Sequence, residues 1–152
     1  MAYITQEPRS GCLFCRAISD PSDPDSELVV WRPEDAIVML NKFPYNSGHL
    51  MVAPVRHTGD LADLEAAEMG DVMSAVQQSL RLLRKTMSPD GFNVGANLGK
   101  AAGAGIPDHV HLHVVPRWNG DTSFMASLAD VKVINEHLLA TAAKLRKALA
   151  AG

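Results

Sequence analysis

The stretch HVHLHVVPRW, residues 109–118, places three of the chain's six histidines at every second position. Successive side chains of a strand point to opposite sides, so His109, His111 and His113 share one face. Val110, Leu112 and Val114 line the other, which is the face expected against the core. The imidazoles then stand about 6–7 Å apart along an open surface, from the rise per residue of a strand. A one-residue slip would bury all three, so the apolar face fixes the register. Imidazole ionises nearest neutrality of the side chains. Such a face serves as a metal site, as proton-transfer or nucleophilic machinery, or as a polar surface with no task.

Outward from this strand, the chain offers 152 residues and 16.3 kDa, enough for one domain with a real core and too few for two. A single domain over residues 1–152 is expected, with 1–11 a loosely ordered tail. A hydrophobic fraction of 47% excludes a disordered chain. The net charge of −3 gives no global attraction to nucleic acid or anionic membrane, and neither is expected as a partner. MAYITQEPRSG lacks a basic region followed by an apolar one, and no apolar run reaches spanning length. The expected compartment is the cytoplasm. There the two cysteines, Cys12 and Cys15 in GCLFC, point to redox or metal chemistry rather than to a structural disulfide. A thioredoxin-like motif needs a strand before the pair and a helix opening on it, and here a polar tail precedes it. Zinc takes about four ligands, of which this pair supplies half.

DPSDPDSE, residues 20–27, is a loop that no periodic structure can cross. LVVWR and AIVML follow as a hairpin about PED, and HLMVAPV, residues 49–55, is a third strand after the turn FPYNSG. Met69, Val72, Met73, Val76, Leu80, Leu83 and Met87 recur at helical spacing, so Leu64 to Met87 contains a long amphipathic helix with its methionines in the core. SPDG stops it, FNVGANLG is a fourth strand, and the histidine strand comes next. NEHLLATAAKLRKALA is a C-terminal helix with Leu138, Leu145 and Leu149 on one side. This order is α+β, an antiparallel meander of about five strands with one long and one C-terminal helix. The connection GKAAGAGIPD, residues 99–108, carries three glycines just before the imidazoles. It is either an ordinary flexible loop or a nest whose N–H groups approach phosphate oxygens.

Residues 109–115 match the pattern His-φ-His-φ-His-φ-φ, with φ apolar, at every position. By this motif the sequence resembles the histidine triad (HIT) family. NSGHLMVAPVRH is similar to that family's PGH-type strand, and NVGANLGKAAGAG to its glycine-rich segment before the triad. The likeness runs from Cys12 past Trp118. It implies nucleotidyl transfer at the α-phosphate of a nucleotide, with adenine nucleotides the expected substrates and a homodimer the expected assembly. His111, the central member, would attack phosphorus and carry the nucleotidyl group. His113 would stabilise the non-bridging oxygens, with His49 as the family's fourth, upstream histidine beside it. Asn41, eight residues before His49, matches the family's ribose binder, although the same residue could serve a turn. Asn97 matches a second polar residue near the phosphates. Backbone N–H groups of the glycine loop, with Gly103 and Gly105, would hold the oxygens as charge develops. Some relatives bind a structural zinc, and the matching set here is Cys12, Cys15, His57 and His109. Two thiolates and two imidazoles close a zinc site; the other reading leaves two free thiols and makes His109 a support for His111.

The phosphoramidase branch of the family carries Gly-Gln-Ser shortly before the triad, its serine placed to protonate an amine leaving group. Gly105 and Ile106 stand at the matching glutamine and serine positions, and neither can donate a proton. PRWNGDTSF is similar to the stretch after the triad in the dinucleoside-polyphosphate hydrolase and phosphorylase branch. The expected reaction is therefore cleavage of diadenosine tetraphosphate-like substrates by water or phosphate. The alternatives are a phosphoramidase, a nucleotide-binding adaptor with incidental hydrolysis, and a redox or zinc module using Cys12 and Cys15.

Overall fold

The structure, a computed structural model, describes residues 11–121 and 137–152. Residues 1–10 of the expected tail lie outside it, as do Thr122, Ser123 and Phe124 of PRWNGDTSF and the first two residues of the expected C-terminal helix. Five strands form one antiparallel sheet in the order β1 (Val29–Trp31), β2 (Ala36–Leu40), β3 (Leu50–Pro54), β5 (Leu112–Arg117), β4 (Gly91–Gly95). The α+β class and the five strands match the sequence reading, except that the histidine strand begins only at Leu112 and the fourth strand ends at Gly95 rather than running to Gly99. The plain meander does not, because β5 inserts between β3 and β4. β3 and β4 then run parallel to each other, and parallel strands need a long crossover, which α2 (Ala66–Met87) supplies. The histidine strand is thereby paired on both sides. Leu50 and Val52 face Val114 and Leu112 across one seam, and Gly95 lies beside His113 across the other. Every residue of β2 and β3 is buried, as their unbroken apolar runs require.

A capping box opens α2: Glu65 and Glu68 exchange side-chain and backbone hydrogen bonds. Ser88 ends it in the left-handed region at φ 48°. The helix buries Val72, Ala75, Val76, Ser79, Leu82 and Leu83. Met73, expected in the core, is 41% exposed; small residues at 75 and 79 let the helix sit closer to the sheet on a face rotated away from it. Gly48 enters β3 at φ 79°, where an added Cβ would stand 2.6 Å from the Met87 sulfur, so only glycine fits this turn. The C-terminal helix, α3 (Leu138–Ala150), is capped by His137 and buries Leu145, with Leu138 and Leu149 against the same core.

Not expected from sequence were a short 3₁₀ helix, Pro24–Leu28, which starts inside the stretch expected as a loop and is capped by Asp23, and α1 (Leu13–Ser19), which opens directly on Cys12. Its seven residues bury Phe14 and Ala17, one turn apart. Arg16 fastens it to the following loop, with its guanidinium 3.2 Å from Asp23, 3.1 Å from Asp25 and 2.7 Å from the Gly11 carbonyl.

Candidate active site and metal centre

The imidazole face is not the open surface that strand alternation implies. His49 and His109 are 0% exposed and His111 is 4% exposed. Over His109 and His111 the cover is α1, whose Phe14 ring lies 5.0 Å from the His109 ring and 5.2 Å from that of His111. Residues 109–111 lie outside β5 and lead into it from a bend at His109, and the Val110 N–H donates to the Thr58 carbonyl at 2.7 Å.

Hydrogen-bond partners assign a tautomer to each buried imidazole. The Tyr45 backbone N–H donates to His49 Nδ1 at 3.0 Å, so neutral His49 keeps its proton on Nε2. That Nε2–H faces His113 Nδ1 at 2.9 Å, which must accept, leaving the His113 proton on Nε2. His111 donates Nδ1–H to the His109 carbonyl at 2.8 Å, so its Nε2 carries a lone pair. His109 has the reverse arrangement: Nε2–H donates to the Pro54 carbonyl at 2.8 Å, leaving Nδ1 with the lone pair. Burial holds the pKa of His111 below its ordinary value. Burial, with His111 as a neighbour, pushes His113 down to about 4. Both rings are therefore neutral near pH 7. The site offers one bare imidazole nitrogen, on His111, next to one N–H donor, on His113.

The loop carrying His49 is tied to the end of β5. Asn46 donates to Asp121 at 2.8 Å and to the Pro116 carbonyl at 3.2 Å, and its own carbonyl accepts the His49 N–H. Asp121 also accepts from Arg117 at 2.6 Å and from the Trp118 N–H at 3.1 Å, so PRWNGD acts as a staple for the upstream histidine. Asn41 Oδ1 accepts the Phe43 N–H at 2.9 Å, the turn role that sequence left open. Asn97 Nδ2 meets the Gly103 carbonyl at 3.5 Å, drawing the glycine loop back toward β4. Gly103 adopts φ 84°, whereas Gly105 is not among the glycines at positive φ and has open space around its missing Cβ. Ile106 packs against the core.

Cys12, Cys15, His57 and His109 offer four ligand atoms that lie within 4.8 Å of one another. His57 Nδ1 and His109 Nδ1 are 3.2 Å apart. The sulfur–nitrogen separations are 3.2 Å for Cys12–His109, 3.4 Å for Cys15–His57 and 3.7 Å for Cys15–His109. A tetrahedral zinc at ordinary bond lengths requires about 3.3 Å between nitrogens and about 3.6 Å between nitrogen and sulfur. Those four of the six separations lie within about 0.4 Å of these edge lengths. The donor chemistry agrees: the His109 bond to Pro54 turns Nδ1 toward the thiols, the kind of outer contact that orients a metal ligand. Burial and the adjacent Cys12 push the Cys15 thiol up in the protein alone, so a cation at the centre is what favours the thiolates. These four residues fit a structural zinc site. A bound zinc would hold α1 against the lead-in to β5 and keep His109 out of proton transfer.

Among the described residues, no helix is long and apolar enough to cross a membrane. The model of the HIT domain matches residues 24–120. An AP-4-A phosphorylase of Mycobacterium tuberculosis (strain H37Rv) is 40% identical over 139 residues, covering 90% of this chain and 71% of its own. An asymmetrical bis(5′-nucleosyl)-tetraphosphatase of Schizosaccharomyces pombe is 32% identical over 66% of this chain and 54% of its own. A zinc-bound histidine triad family protein from Mycobacterium smegmatis superposes with a TM-score of 0.74 at 33% identity, covering 93% of this chain and 94% of that one. With His49 set against His113 and His111 beside it, and with that family match over residues 24–120, the chain belongs to the HIT domain family.

Proposed function

We propose that the protein cleaves diadenosine tetraphosphate-like dinucleotides at an α-phosphate, through a nucleotidyl intermediate on His111. The observation that carries this reading is the His111 Nδ1–H bond to the His109 carbonyl, which leaves Nε2 unprotonated beside the His113 N–H. Neutral imidazole is a competent nucleophile near pH 7. The Nε2 lone pair forms the N–P bond as the P–O bond to the polyphosphate breaks, and the leaving nucleotide takes that electron pair. The His113 Nε2–H, set through His49, donates to a non-bridging oxygen. Of the two glycines expected to hold the others, Gly103 already gives its backbone N–H to the Lys100 carbonyl at 3.0 Å, so the Gly105 N–H is the donor that meets them as charge grows. The acceptor oxygen then attacks phosphorus, the N–P bond breaks, and the lone pair returns to His111. Asn41, whose Oδ1 is engaged in the turn, would meet ribose oxygens with its amide N–H; Asn97 stands by the phosphates. Identity of 40% to an AP-4-A phosphorylase supports inorganic phosphate as the acceptor and adenine as the base.

Incubation with diadenosine tetraphosphate, with and without phosphate, tests this. Phosphorolysis yields ATP and ADP; ATP and AMP alone would assign water as the acceptor. Tight AMP binding with no products would favour an adaptor.

The leaving group gives a separate expectation. Gly105 and Ile106 supply no side-chain acid, and a positioned acid contributes about 10²–10⁴-fold. Adenosine 5′-phosphoramidate should therefore be cleaved at least about 10²-fold more slowly than diadenosine tetraphosphate in side-by-side kcat/KM measurements. Faster cleavage of the phosphoramidate would place the enzyme in the amine-releasing branch.

The reading also takes the protein to be a cytoplasmic homodimer. β4 ends the sheet with Asn93, Val94 and Gly95 exposed, and Val94 and Leu98 are both 44% exposed beside it. An unpaired edge with apolar neighbours is a template for a second chain. Sedimentation should give twice the chain mass of 16.3 kDa. A single-chain mass at working concentration would rule the dimer out.

A further inference from the structure

His111 is fixed by one directional bond, its Nδ1–H to the His109 carbonyl at 2.8 Å. One hydrogen bond leaves an imidazole free to swing and to turn over about its ring torsion, which would put Cδ2 in the place of Nδ1, break that bond and release the tautomer it fixes. Among the described residues two rings flank it. His113 stands edge-on, with centroids 4.9 Å apart and planes at 72°. Phe14 lies at 5.2 Å, tilted by 44°.

Phe14 is fully buried, which by itself is ordinary for phenylalanine. Its surroundings are not ordinary, since its ring neighbours are the imidazoles of His109 and His111. It also stands in the first turn of α1, between Cys12 and Cys15, so the segment that presents it is the one the metal-ligating thiols fasten. The same side chain therefore touches one imidazole that faces the metal cluster and one that bears the bare nitrogen.

We propose that Phe14 is a positioning residue for His111: clasped in place through Cys12 and Cys15, its ring blocks the swing of the imidazole and keeps Nε2 toward the substrate. This rests on the assignment of His111 as the nucleophile. Misplacing a reacting group by about 1 Å costs about 10²-fold in rate, which sets the size of effect to look for.

The test uses zinc-loaded protein. Phe14→Leu keeps an apolar side chain while removing the flat ring. The expected result is a kcat on diadenosine tetraphosphate lower by about 10²-fold, with KM within about twofold and zinc content unchanged. In parallel, side-chain 15N spectra at pH 8 should show His111 as a single Nδ1–H tautomer in the wild type and as a mixture in the variant. An unchanged kcat, or one tautomer in both proteins, overturns the proposal. A raised KM at constant kcat also overturns it, making Phe14 a wall of the nucleotide pocket. If the leucine variant fails to hold zinc, Phe14→Met, with a longer unbranched side chain, is read the same way. A wild-type protein already showing both tautomers refutes the idea without any variant. Turnover surviving in His111→Ala would instead remove the nucleophile assignment, and the spectra would still report on Phe14.

Discussion

His111→Ala should lower turnover of diadenosine tetraphosphate by on the order of 10⁴–10⁶-fold, the scale seen when a covalent nucleophile is deleted. AMP affinity should be nearly kept, because Asn41, Asn97, His113 and the glycine loop remain. The Nδ1–H bond to the His109 carbonyl is made by the imidazole itself, so alanine removes the nucleophile without leaving a charged group unpaired. His49 and His113 keep their own bond at 2.9 Å and the Tyr45 N–H behind it, so the rest of the site should stay in place. Single-turnover measurements with an AMP-binding control check this. A variant turning over near the wild-type rate would remove His111 from the chemistry.

The second large effect is on stability. Protein purified without added metal should contain about one zinc per chain, as a closed four-ligand site implies. Cys12→Ser should lose most of that zinc and lower the melting temperature by on the order of 10 °C, because binding at a structural site is folding free energy. The change in Tm should exceed what the variant loses in activity. Cys12 is both a ligand and the residue on which α1 opens, so the loss should be local to α1 and the 109–111 lead-in. Elemental analysis together with calorimetry decides it. Metal-free wild-type protein with two titratable thiols and an unchanged melting temperature would reject the site.

Alternation in HVHLHVV announced the strand, and the resemblance it carried named His49, His57 and the two cysteines; the structure sets His49 against His113 and gathers His57, Cys12 and Cys15 about His109. What stayed hidden has physical reasons. Helix α1 is seven residues long with two buried positions, too short for a helical period to stand out. The insertion of β5 between β3 and β4 depends on pairing across long connections, which no local pattern records. Burial of the imidazole face follows from α1 covering it, so missing the helix meant missing the cover. Met73 fits the apolar spacing yet faces solvent, because Ala75 and Ser79 are small enough to bring the other side of α2 inward. Tautomers were out of reach altogether. They are set by the carbonyls of Pro54 and His109 and by the Tyr45 N–H, backbone groups with no signature in the sequence.

The opposite proton placement on His109 and His111 also has an electrostatic consequence. His109 enters the metal cluster as a neutral ligand, as does any imidazole that keeps its second N–H. Two neutral imidazoles and two thiolates around a divalent cation sum to zero net charge. The filled cluster therefore places no net charge beside His111, two residues away, where a polyanionic substrate must arrive. A dinucleotide approaching the bare nitrogen meets no net charge from the filled cluster, and the metal reaches the reaction through the placement of a ring and a backbone carbonyl.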